Sequence, residues 1–130
     1  MAQQEIEMIL TRQLASYLAV PIFLVDPDGN LLYCNEPAER VLGGILDEIT
    51  DMPMSRWSTM FQQQDEQGNI IPPDELPLVT AVKTRTPASR TFFIEGMDGR
   101  RRKIHVVGLP LIGQANRFLG AAGFFWEMSE

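Results

Sequence analysis

The 130-residue sequence is poor in the side chains that build metal and thiol sites, with one cysteine, Cys34, and one histidine, His105. A single thiol closes no internal disulfide and builds no paired-cysteine metal knuckle, a usage that agrees with a reducing compartment. No run approaches the roughly 20 apolar residues a spanning helix needs. The start, Met1-Ala2-Gln3-Gln4-Glu5, lacks the cationic region of a secretory signal. A cytoplasmic location with no membrane partner is the expectation. Positive charge is scarce too: 11 Lys and Arg stand against 17 Asp and Glu, for a net charge of -6. Such a surface repels phosphate backbones, so nucleic acid is not an expected partner. No GxSxG, Walker-type loop or HExxH occurs, so no catalytic residue is nominated and no enzyme is expected.

What is present is a hydrophobic fraction of 45%, enough for one core in a chain of single-domain length. Residues 1–19 contain no proline or glycine and repeat Ile6, Ile9, Leu10, Leu14, Tyr17 and Leu18 at helical spacing, which predicts an amphipathic helix. The domain proper is expected over residues 20–130. Two short β-rich runs, Pro21 to Val25 and Leu31 to Cys34, flank Asp26-Pro27-Asp28-Gly29-Asn30, a hairpin turn. Asn35 is a fitting N-cap for a short helix that runs through Val41 and stops at Gly43-Gly44. Between Ile45 and Gln67 the pattern weakens to irregular helical turns. Pro72 to Pro77 then opens a better helix through Leu78, Val79, Ala81 and Val82. Three strands close the chain: Thr91 to Glu95, Arg101 to Leu109 and Phe118 to Trp126. The order gives an α+β layout with one antiparallel, five-stranded sheet, helices on one face and the N-terminal amphipathic helix beside it.

The block from Ile22 to Gly43, with its Asp-Pro-Asp-Gly-Asn turn and asparagine-capped helix, resembles the PAS (Per-Arnt-Sim) family. Asp74-Glu75-Leu76-Pro77-Leu78 resembles the start of that family's connecting helix, and Asp98-Gly99-Arg100 with Pro110-Leu111 its closing strands. The likeness runs from about Val20 to Glu127. One departure is Thr84-Arg85-Thr86-Pro87, where the family often has glycine before the proline.

The resemblance implies a sensory module whose helices and inner sheet face enclose an apolar pocket. Candidate lining residues are Phe23, Leu78, Val82, Phe93, His105 and Phe124. Haem is not expected, because the connecting helix from Pro77 to Thr86 has no histidine and His105 sits in an alternating strand. Covalent flavin chemistry is not expected either, since Cys34 precedes Asn35 in a sequence unlike the reactive Asn-Cys-Arg-Phe-Leu motif. Noncovalent flavin stays open, and the cofactor is unknown. The run Arg100-Arg101-Arg102-Lys103 reads as a solvated strand end, and Asp47-Glu48, Asp65-Glu66 and Asp74-Glu75 as surface charges.

The last strand, Phe118 to Trp126, is apolar at both parities and so needs cover on both faces. The N-terminal helix is the available cover. With the family's habit of pairing such helices, this predicts a homodimer through Ile6, Ile9, Leu10, Leu14, Tyr17 and Leu18. The function expected is signal sensing, by binding a small molecule or protein partner and rearranging the dimer. The alternative is a ligand-free dimerisation module. Trp126-Glu127-Met128-Ser129-Glu130 resembles the junction at which PAS domains pass to an output segment, so a C-terminal output domain or a separate signalling protein is a further expected partner.

Overall fold

The computed structural model describes residues 7, 9–11, 13, 14, 17–44 and 52–128. Five antiparallel strands form one sheet in the order β2-β1-β5-β4-β3: β1 is Ile22–Val25, β2 Leu31–Cys34, β3 Ala88–Glu95, β4 Arg101–Ile112 and β5 Phe118–Glu127. The hairpin between β1 and β2 closes on Asp26, whose carboxylate accepts the N–H groups of Asp28 and Asn30 at 2.9 Å each. Gly29 there takes φ 89°, which an L side chain resists. Helix α1 (Glu36–Leu42) starts at the Asn35 cap and ends where Gly43 turns left-handed at φ 79°. Helix α2 is the single turn Met54–Trp57, and α3 is Pro77–Thr84. At the end of α3 Arg85 adopts φ 57°, the left-handed conformation that glycine takes most easily. Its guanidinium lies 4.6 Å from the centre of the Phe118 ring, an attraction that offsets part of the backbone cost.

Alternation sorts the side chains. Phe23, Val25, Phe92, Ile94, Ile104, Val106, Ala121 and Phe125 join the main core with residues of the three helices. Ile22, Leu24 and Ala122 form a second cluster with Tyr33, Leu111 and Phe124. Ile22 and Leu24 are almost wholly buried, so the outer face of β1 is covered. The described residues between 7 and 17 are helical, and Glu7 pairs with Arg117 just before β5. That pair holds the helical segment to the tip of the β4–β5 hairpin. Glu7, Thr11 and Leu18 are half-buried, whereas Ile9, Leu10, Leu14 and Tyr17 are 48%, 59%, 62% and 86% exposed. Ile6 and Asp47-Glu48 lie outside the described residues.

The basic run departs from its sequence reading. Arg101 lies over the Phe93 ring at 3.9 Å and Lys103 faces the same ring from 6.0 Å. Arg102, of opposite parity, is not solvated: its side chain is 6% exposed and pairs with Asp98 at 2.7 Å. Strand alternation forces one arginine of the run inward, and Asp98 neutralises it.

Candidate functional site: an apolar cavity with one polar group

Helix α3 can approach the sheet closely because glycines lie beneath its first turn. Gly108 and Gly123 are register partners on β4 and β5. A Cβ on Gly108 would sit 2.4 Å from the Pro77 carbonyl oxygen, and one on Gly123 would sit 3.3 Å from Leu78 Cδ2. Beyond this contact the layers part around a cavity of about 70 Å³. Its walls are Phe23, Trp57, Phe61, Phe92 and Phe125, with Leu42, Leu76, Leu78, Ile94, Ile104 and Val106 among the aliphatic groups. Phe23 stands between Trp57 and Phe125, edge to face with both, at ring separations of 5.9 Å and 6.4 Å.

Gln63 is the polar side chain in this wall, and its residue is 7% exposed. Its Nε2 donates to the Trp57 carbonyl at 3.1 Å. The Trp57 indole N–H in turn donates to the Gly29 carbonyl at 2.8 Å. The cavity wall is thus tied to the β1–β2 turn by two consecutive hydrogen bonds. Among the described residues no charged side chain lines the cavity, so the chemistry of this lining is apolar recognition with one hydrogen-bonding group.

Of the residues nominated from sequence, Phe23 and Leu78 line this cavity. Val82 is buried in the same core but is not part of the wall. Phe93 belongs to the opposite face, under Arg101. Phe124 packs in the second cluster. His105 also faces outward, with Nδ1 2.7 Å from Thr91 Oγ1 and its ring 5.1 Å from that of Trp126. Phe92, Ile104 and Phe125, each one position from a nominee, are the inward neighbours. Cys34 is half-buried and packs against the main core. Among the described residues no group of three or more His, Cys, Asp and Glu side chains is placed to hold a metal ion. The cavity, at 70 Å³, is well short of the roughly 300 Å³ at which drug-sized ligand sites begin, so a haem or flavin does not fit it in this conformation. No helix of the described residues is long and apolar enough to cross a membrane.

An antiparallel five-stranded sheet in this order, with short helices and one better helix packed over an apolar cavity on its inner face, defines a small α+β domain class. The model for the PAS domain matches residues 10–81. The chain belongs to the PAS domain family, whose members are signal-sensing modules. Among solved structures it is similar to the PAS domain of Bordetella pertussis BvgS, with 16% identity, TM-score 0.65, and 95% of this chain and 87% of that one covered. A PAS domain from Colwellia psychrerythraea gives 17% identity and TM-score 0.64, covering 94% of this chain and 97% of that one. The Rhodobacter sphaeroides LOV protein gives 18% identity and TM-score 0.72, covering 98% of this chain and 69% of that one. At these identities the likeness is one of fold. No curated protein matches the chain.

Proposed function

We infer that this PAS domain senses a small apolar molecule in the cavity between its helices and its inner sheet face, and signals by rearranging a homodimer built on the N-terminal helix. The observation that carries this reading is the cavity itself: a space of about 70 Å³ walled by five aromatic rings, with Gln63 in its wall. Native interiors are close-packed, so this apolar space in the core is the natural seat for a small ligand. Occupancy would press on Trp57 and, through its indole bond to Gly29, on the strand that lies under the outer-face cover. The apolar stripe of Ile9, Leu10, Leu14 and Tyr17, exposed in the single chain, supports pairing with a second copy. The output goes to a protein partner or a C-terminal output domain. No bond-breaking step is proposed.

The modest size of the cavity favours a second reading, in which the domain dimerises without a ligand. One experiment separates them. Trp126 is 41% exposed and Trp57 is 4% exposed, so Trp126→Phe protein emits from Trp57 alone. Saturable change of that emission on adding small apolar molecules supports the sensor; unchanged emission across a panel that spans the cavity's size supports the ligand-free module.

A further inference from the structure

Gln63 is held in one orientation by its neighbour. The Trp57 carbonyl can only accept, so the amide nitrogen of Gln63 must face it, at 3.1 Å. The amide oxygen therefore points the other way and accepts nothing among the described residues. The residue is 7% exposed and stands in an otherwise apolar wall. An amide oxygen has two lone pairs, and since no fully buried side-chain oxygen among the described residues lacks a partner, this one keeps an accessible edge at which it can still accept. The nitrogen is already engaged, so the larger unmet demand at this position is for a donor.

We propose that the Gln63 amide oxygen is the recognition group of the cavity, selecting a compact apolar molecule that carries a single O–H or N–H donor. This rests on the cavity reading above and adds its chemical specificity. Size narrows the class. An engineered apolar cavity of about 150 Å³ takes up benzene, so the 70 Å³ present here suits a ligand smaller than a six-membered ring unless the wall yields. A neutral molecule fits better than a charged one, because among the described residues no opposite charge lines the wall and burying an unpaired ion is far costlier than burying a neutral donor. A ligand donor on Gln63 would also stiffen the amide against Trp57. Recognition and the bond from Trp57 to the β1–β2 turn thus share one side chain.

Pyrrole and furan make the test, being five-membered rings of nearly the same shape, the first with an N–H donor and the second without. Binding is read by Trp57 emission in Trp126→Phe protein and by the side-chain amide resonance of Gln63. The expected result is that both bind, pyrrole about fivefold more tightly, the weight of one neutral hydrogen bond. Only pyrrole should shift the Gln63 amide resonance. In Gln63→Leu protein furan should keep its affinity while the advantage of pyrrole disappears. If that variant does not fold, the wild-type amide resonance decides. Equal affinities, or furan the tighter, overturn the role of Gln63 and leave the cavity as a ligand site. Failure of both rings to bind overturns the cavity reading and this inference with it.

Discussion

Asn35 ties the start of β1 to the start of α1: its side-chain oxygen accepts the N–H of Ile22 and the N–H of Ala38, each at 3.1 Å. Its amide nitrogen donates to the carbonyl of Val20 at 2.9 Å, at the exit of the N-terminal segment. One side chain therefore fixes three pieces of backbone, and it is 2% exposed. Loss of an N-cap costs about 1 kcal/mol, and a buried N–H left without a partner costs about 1–3 kcal/mol more. Asn35→Ala should lower stability by about 3 kcal/mol in urea unfolding. A loss within about 0.5 kcal/mol, the range of an ordinary surface substitution, would mean that Asn35 is not the joint described.

Asp98 makes the fold sensitive to acid. Its carboxylate is held well below the ordinary value of 3.8, first by the side-chain hydrogen bonds from Arg102 and then by the N–H of Arg100. A carboxylate depressed in the folded state contributes stability that is fully present above the unfolded value and is lost as pH falls below it. Wild-type protein should therefore be more stable than Asp98→Asn near neutral pH, and the gap should close as pH drops below 3.8. Thermal unfolding of both proteins across that range checks the sign. A gap that stays constant would remove the ion pair from the account.

The two glycines beneath α3 should differ in their tolerance of a methyl group. At Gly108 the obstacle is the Pro77 backbone, 2.4 Å from the new Cβ, whereas at Gly123 it is the flexible end of Leu78 at 3.3 Å. Backbone cannot yield without lifting the helix, so Gly108→Ala should cost about 3 kcal/mol, the upper range for overpacking. Gly123→Ala should cost about 1 kcal/mol or less. Denaturant unfolding of the two variants gives the order, and the reverse order would contradict the packing of α3 described here.

The fold was legible where local chemistry is decisive. The Asp26 to Asn30 turn, the Asn35 cap, the Gly43 stop and the proline start of α3 each rest on a backbone requirement that few residues meet, and each stands where the sequence predicts it. The sheet and its five strands follow from those punctuation marks. Faces were harder. Phe92 and Phe93 are adjacent and equally apolar, as are Phe124 and Phe125, so alternation alone does not say which member points to the helices. Phe93 and Phe124 as pocket candidates were each one residue from an inward neighbour. Gln63 was not legible at all. It sits between α2 and α3 in a segment without periodicity, and its place in the cavity wall is set by the hydrogen bond its amide nitrogen donates to the Trp57 carbonyl and by the Ile71 N–H, which donates to its backbone carbonyl. The arginine run hid its buried member because a sequence of like charges carries no mark of the inward parity that Arg102 occupies.

Native mass spectrometry of protein purified gently from cells tests the central claim, that this PAS domain is a dimeric sensor with a ligand in its core. The account predicts a dimer carrying a small added mass per subunit, lost when the complex is activated in the gas phase. It also predicts that Leu10→Asp with Leu14→Asp, on the exposed stripe, gives a folded monomer. A bare monomer in the wild type, unchanged by the paired substitution, would contradict it.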